Sequence, residues 1–311
     1  MTAHLPDAAP ANWVDRYAPA GLRPWLKLGR FDRPAGIWLL MLPGWQGIAL
    51  AGAMAGAWPD ALLLAKVFLG AALMRAAGCA YNDIVDRDID ARVHRTAGRP
   101  IPSGQIGVKQ AWAFVIACCL VSCVILLTLP PLAIGLGVAS LALVAAYPFM
   151  KRITWWPQAW LGLTFNWGAL LGFAAATGTL SLPALLLYAG GVFWTLGYDT
   201  VYAIQDLEDD ALAGVKSSAR RLGSGAPRAV ALFYLAAVAL AVAAAVAGKV
   251  GLPFYPLAAV YAVLLARQAR RVRTDDPALA LRLFKANGLA GLVLFAAFAL
   301  GQIQVHLRLD A

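Results

Sequence analysis

Charge is scarce in this chain. Only 14% of its 311 residues are Asp, Glu, Lys or Arg, and 61% are hydrophobic, against about 25% and 45–50% in ordinary soluble domains. That balance excludes a soluble globular domain and a disordered chain alike. Histidine is scarcer still: His4, His94 and His306 lie near the ends or in a loop and form no metal or triad constellation. The four cysteines, Cys79, Cys118, Cys119 and Cys123, fall in or beside apolar runs without CxxC spacing, so they read as small core residues and not as a zinc framework. The opening MTAHLPDAAPANWVDRYAP has no basic start followed by an apolar core, and its Asp7 and Asp15 are wrong for a transit peptide. Acid is rarer than base, 16 residues against 26 for a net charge of +10. No nucleic-acid surface is expected from that excess, because the basic residues are set between apolar runs and not along one soluble face.

Long apolar runs dominate what remains, and the mean hydropathy is +0.69. Nine segments reach about the length that crosses a bilayer: roughly 36–57, 61–81, 109–129, 131–149, 155–176, 183–204, 228–248, 252–268 and 286–305. Helices are the only structure such Ala-, Leu- and Gly-rich segments can adopt in lipid, where backbone groups must be paired internally. The expected fold is all-α: a polytopic membrane protein of about nine helices, with an N-terminal segment at 1–35, a transmembrane domain at 36–305 and a tail at 306–311. Tryptophans near the span ends, including Trp13, Trp25, Trp58, Trp155 and Trp156, fit an interfacial belt. Lys and Arg collect on one side: Arg16 to Arg33, Arg87 to Lys109, Lys151 and Arg152, Lys216 to Arg228, and Arg267 to Lys285. The other side has only Lys66, Lys249 and Arg308. The N-terminus is therefore expected to be cytoplasmic and the C-terminus outside.

The polar residues able to do chemistry concentrate in two connections, about 82–108 and 205–227. Past the second span the chain reads NDIVDRDID, which sets Asn82, Asp86 and Asp90 four apart on one helical face, with Arg75 seven residues earlier on the same stripe. Past the sixth span it reads YDTVYAIQDLEDD, with Asp206 and Asp210 four apart and Asp199 seven before Asp206; these three are expected to share a face of a continued helix. The four-span interval between the clusters hints at a parallel pseudo-repeat. Carboxylates gathered at a membrane surface repel one another unless a cation sits among them, and an oxygen set of carboxylates and an amide suits Mg²⁺, which shares its shell with phosphate. Each cluster is followed by basic residues, Arg95 and Arg99 after the first and Lys216, Arg220 and Arg221 after the second. Carboxylates for metal and Lys or Arg for phosphate oxygens are what a diphosphate requires.

With these residues in place the sequence resembles the UbiA family of intramembrane prenyltransferases. Asn82, Asp86 and Asp90 match the family's NxxxDxxxD pattern, and Asp206 and Asp210 its DxxxD pattern. RFDRPAGIWLLMLPGW (30–45), YPFMKRITWWPQ (147–158) and YDTVYAIQDLEDDALAGVKSSARRLG (198–223) look like the branch that acts on 4-hydroxybenzoate. The resemblance runs from about Arg30 to Gly223. It implies a helical bundle around a central cavity, Mg²⁺ as cofactor held by Asn82, Asp86, Asp90, Asp206 and Asp210, and polyprenyl diphosphate and 4-hydroxybenzoate as substrates in ubiquinone biosynthesis; the lack of a transit-type start points to a bacterial inner membrane. Lys151, Arg152 and Lys216 match basic positions of its motifs and are expected to contact the diphosphate, with Arg95 and Arg99, and Arg152 is counted among the catalytic residues. Ionising an allylic C–O bond calls for charge stabilisation at the diphosphate and for shielding of the cation by aromatic faces such as Tyr147, Tyr198 or Tyr202. Asp199 or Asp206 could take the ring proton. Arg30 and Arg33 are candidates for the acceptor's carboxylate, and Asn166 for a cavity-lining polar group.

Other readings make different demands. An ion-coupled transporter would place its acidic groups near the bilayer midplane, often at broken helices, whereas both clusters here fall at span ends. A non-catalytic assembly protein has no use for two metal-spaced carboxylate sets. Sibling enzymes acting on homogentisate or a naphthoate are the nearer alternative.

Overall fold

The computed structural model describes residues 12–92, 96–207, 211 and 214–303. Among the described residues it is all helix: α1 Trp13–Tyr17, α2 Arg23–Leu28, α3 Ala35–Ala55, α4 Ala61–Asp90, α5 Val108–Leu126, α6 Pro131–Ile153, α7 Pro157–Thr177, α8 Leu182–Ala203, α9 Ser218–Leu222, α10 Ala226–Ala247, α11 Phe254–Arg271 and α12 Pro277–Leu300. Nine of these have eighteen residues or more, as the apolar runs predicted. Seven spans are apolar enough throughout to cross a membrane on composition alone; α8 and α11 are the two long helices outside that group. Both carry polar residues inward or at an end, Thr195, Tyr198 and Asp199 in α8 and Arg267, Arg270 and Arg271 in α11.

Helix ends depart from the apolar runs for a local reason. Hydropathy marks the stretch that suits lipid, while a helix continues until its backbone is capped. α12 begins at Pro277, nine residues before the expected span, because Asp276 caps it by accepting the Leu279 N–H at 2.8 Å and proline fits the first turn. α4 runs to Asp90, so residues 82–90 belong to a helix and not to a connecting loop.

The chain forms two compact units, one comprising Phe68–Thr128 with the residues up to Trp38, the other Leu39–Val67 with the residues from Leu129 onward. In the first, Leu28, Ala76, Ala80, Ile84, Ile106 and Ala111 make the core, and Trp25 meets Phe114 with ring centroids 5.9 Å apart. In the second, α7 and α10 pack on α8, and α12 packs on α8 and α11. Small residues set a close approach of α3 to α7. A Cβ on Gly172 would run into the Gly44 carbonyl, one on Gly47 into the Ala169 carbonyl, and one on Gly168 would come within 3.2 Å of the Gly44 nitrogen. Backbone touches backbone there, the contact small residues permit between membrane helices.

A buried polar knot joins four helices of the same unit. The Trp194 indole N–H donates to Asn287 Oδ1 at 2.8 Å, Asn287 Nδ2 donates to Gln268 Oε1 at 2.8 Å, and the Tyr234 hydroxyl donates to the same Gln268 oxygen at 3.3 Å. Asn287 is wholly buried. Every member has a partner, so the knot fixes the register of α8, α10, α11 and α12 without leaving a polar group unpaired in an apolar interior.

Candidate functional site

The last three turns of α4 carry the first acidic motif. Asp86 and Asp90 are buried and Asn82 half-buried, while Arg87 and Asp88 between them face out, the one-sided arrangement that the four-residue spacing predicts. Asp83, which the sequence reading passed over, is 1% exposed and accepts from Arg30 Nη2 at 2.7 and 2.8 Å and from Arg99 Nη1 at 3.2 Å. The same Arg99 nitrogen donates to Asp90 Oδ2 at 2.7 Å, so one guanidinium bridges Asp83 and Asp90. Thr96 Oγ donates to the Asp90 carbonyl at 2.8 Å and folds the following turn back so that Arg99 can reach. A seven-residue interval turns a helix by about 20° short of two full revolutions, so Asp83 and Asp90 share a face, and that spacing was the available signal.

Arg30 is therefore engaged. It takes a left-handed backbone conformation, φ +60°, and donates to the Lys27 carbonyl at 3.0 Å as well as to Asp83. Burial opposes its charge, but the Asp83 carboxylate outweighs that cost and holds the guanidinium above its usual pKa. Arg33 donates to its neighbour Asp32 at 3.3 Å, and burial lifts the Asp32 carboxyl above the ordinary range against the pull of Arg33 and Arg30. Arg75 lies half-buried in the middle of α4. A Cβ on Gly36 would come within 2.8 Å of both its Nε and its Nη2, so the glycine makes room for this guanidinium.

The second motif departs from the expected continuous helix. α8 ends at Ala203 and tightens into a 3₁₀ turn over Ile204–Asp206, so the regular seven-residue placement of Asp199 and Asp206 on one face does not hold. The run Gln-Asp-Leu-Glu-Asp-Asp offers side chains that compete for backbone groups, and helix ends commonly tighten in this way. Asp199 and Asp206 are both half-buried. Asp210 and Arg95 lie outside the described residues.

The segment after this motif is tied to the α6–α7 turn. Lys216 donates its backbone N–H to the Lys151 carbonyl at 3.0 Å and its ammonium to the Ile153 carbonyl at 3.1 Å. Ser218 N–H donates to Gln158 Oε1 at 2.9 Å, and the Ser218 and Thr200 hydroxyls are 2.7 Å apart. Arg220 reaches the Val215 carbonyl and stacks 5.5 Å above Trp155. Lys151 and Lys216, predicted separately, thus share one neighbourhood; Arg152 beside them is exposed, with its guanidinium 6.0 Å from the Phe149 ring.

The aromatic candidates separate. Tyr198 is wholly buried between Trp194 and Phe284, at 5.3 and 5.8 Å, and accepts from Thr195 Oγ at 3.1 Å, which makes it core. Tyr202 is half-buried with its ring 4.6 Å from Phe284, and Tyr147 is half-buried on α6. Asn166 is wholly buried and donates to Thr195 Oγ at 2.7 Å and to the Gly162 carbonyl at 2.9 Å; it joins α7 to α8.

Among the described residues no three His, Cys, Asp or Glu side chains converge to hold a metal ion by themselves. The donor set of the first motif nevertheless fits Mg²⁺, because it offers hard oxygens from one helix face, and Mg²⁺ takes one or two carboxylates together with substrate phosphate and water in preference to an all-protein cage.

Residues 40–301 match the UbiA prenyltransferase family. The chain is 45% identical over 282 residues to the mitochondrial 4-hydroxybenzoate polyprenyltransferase of Aedes aegypti, covering 90% of this chain and 64% of that protein. It is 44% identical to the enzyme of the same description from Rattus norvegicus, covering 92% of this chain and 76% of that one. Among solved structures it resembles the apo structure of a UbiA homolog from Aeropyrum pernix K1, with a TM-score of 0.70, 29% identity and coverage of 86% of this chain and 98% of that one. A UbiA homolog from Archaeoglobus fulgidus bound to GPP and Mg²⁺ has the same fold, with a TM-score of 0.64 at 17% identity and coverage of 89% and 99%.

Proposed function

Because the chain belongs to the UbiA prenyltransferase family, we propose that it transfers a polyprenyl group from polyprenyl diphosphate to the carbon ortho to the hydroxyl of 4-hydroxybenzoate, in ubiquinone biosynthesis. The observation that carries this reading is the face of α4 on which Asn82, Asp86 and Asp90 line up, with Arg99 fastened to Asp90. Carboxylates and a guanidinium side by side suit a diphosphate and its counter-ion. The names of the relatives above support the choice of acceptor.

Asn82, Asp86 and Asp90 are the residues assigned to Mg²⁺ in one unit, and Asp206 and Asp210 those assigned to Mg²⁺ in the other; the ion when bound supplies Lewis-acid stabilisation of the leaving diphosphate. Lys151, Arg152 and Lys216 neutralise phosphate oxygens; among the described residues the Lys216 ammonium uses one of its three donors, on Ile153. Tyr202 offers its ring face to the allylic cation. Asp199 accepts the proton from the ring carbon once the new bond has formed, restoring aromaticity. Both acidic motifs and the N-terminus are assigned to the cytoplasmic face of a bacterial inner membrane and the C-terminus to the periplasm, a reading supported by the basic bias of that side.

The acceptor's carboxylate needs a cation deeper than the metal ligands. Arg75 suits it by position, about 10 Å along α4 from Asn82 on the same stripe. Arg75→Ala is expected to raise KM for 4-hydroxybenzoate about ten- to hundredfold, the worth of one charge-assisted hydrogen bond, and to leave KM for the diphosphate unchanged. An unaltered acceptor KM would remove Arg75 from this role.

The direct test is prenyl transfer in membranes containing the protein, with and without Mg²⁺. A 3-prenylated 4-hydroxybenzoate that forms only with Mg²⁺ is the expected product. Product formed equally in excess chelator would overturn the metal assignment, and transfer only to homogentisate or a naphthoate would overturn the acceptor.

A further inference from the structure

A groove outside the two motifs runs between α10 and α11, with a volume of 560 Å³. Its walls follow one stripe of each helix: Ala231, Leu235 and Val238 on α10, and Ala262, Leu265 and Ala266 on α11. The alanines leave the space open where larger side chains would close it. At one end both helices place an arginine on the rim, Arg228 in the first turn of α10 and Arg270 in the last turn of α11. Both are exposed, and neither has an ion pair or side-chain hydrogen bond among the described residues.

We propose that this groove binds an anionic phospholipid, with the phosphate between Arg228 and Arg270 and one acyl chain along the alanine-lined wall. Length supports that occupant. From Arg228 to Val238 the stripe rises about 15 Å, close to half of a hydrocarbon core roughly 30 Å thick, so the groove is one leaflet deep with its charged rim at the interface. Charge selects the headgroup, because paired guanidiniums at a membrane surface favour an anionic phosphate over a zwitterionic lipid. Positive-inside bias alone explains basic residues on this side, but it does not require two of them to close one end of an apolar channel.

The test is lipid retention by the full-length protein in detergent, read by native mass spectrometry after addition of phosphatidylglycerol or phosphatidylcholine. Wild type is expected to retain phosphatidylglycerol preferentially. Each arginine is expected to contribute about fivefold, so Arg228→Gln with Arg270→Gln should cut that preference about 25-fold. Ala266→Trp, which fills the groove from an exposed position, should displace phosphatidylglycerol while both arginines remain. A shared melting temperature among the three proteins shows that they are folded. Equal retention of the two lipids by wild type overturns the proposal, as does a preference that survives either variant or that polyprenyl diphosphate abolishes at equimolar concentration.

Discussion

Asp86→Ala and Asp206→Ala are each expected to lower prenyl transfer at least about a hundredfold, the scale of deleting one group that stabilises developing charge, while the protein still accumulates in membranes. Asp86 sits in the middle of the α4 stripe and is buried, so its carboxylate is held in place before any ligand arrives. Removing it leaves Asn82 and Asp90 eight residues apart, about 80° around the helix, with nothing between them. Asp206 ends a short 3₁₀ turn, and its loss should act on turnover more than on folding. Turnover at saturating Mg²⁺ and diphosphate is the measurement, with protein quantified in the same membranes. An Asp206→Ala variant with wild-type turnover would take the second motif out of the site.

Asp83→Ala should behave differently, as a folding defect. Asp83 is the carboxylate partner of Arg30, which is 8% exposed, and it shares Arg99 with Asp90. Deleting one member of a buried ion pair typically costs about 3–5 kcal/mol, because it strands the other charge. The melting temperature in detergent should fall steeply. Adding Arg30→Met to Asp83→Ala removes the stranded charge and should recover much of that loss, whereas Arg30→Met alone leaves Asp83 its bond to Arg99 and should cost less than Asp83→Ala. A single Asp83→Ala variant that melts like wild type would show that the buried pair is not holding this unit together.

These two residues illustrate how far the sequence could be read. Asp86 was visible because metal ligation repeats a residue type at helical spacing, and the spacing alone places Asn82, Asp86 and Asp90 on one face. Asp83 was harder to see: its seven-residue spacing from Asp90 says only that the two share a face, while its partners Arg30 and Arg99 are 53 and 16 residues away, in turns that only the fold brings to α4. The same limit applied to Arg30. Its charge and position at a span entry suited a substrate carboxylate, and only the fold reveals that a protein carboxylate already fills that role. The nine long helices were legible because lipid imposes a length on each apolar run. Their ends were less so: the Asp276 cap brings α12 forward, and the polar run after Ala203 ends α8 before the second motif is complete.

The meeting of Gly44 and Gly47 with Ala169 and Gly172 bears on how this unit can rearrange. Carbonyl oxygens on one helix nest against the Cα atoms of the other, so α3 and α7 cannot slide past each other without backbone climbing over backbone. Packed surfaces of this kind have discrete arrangements and little compliance in between. Any opening in this unit is therefore expected from rearrangement of helices whose contacts are made by side chains and not from sliding of α3 along α7.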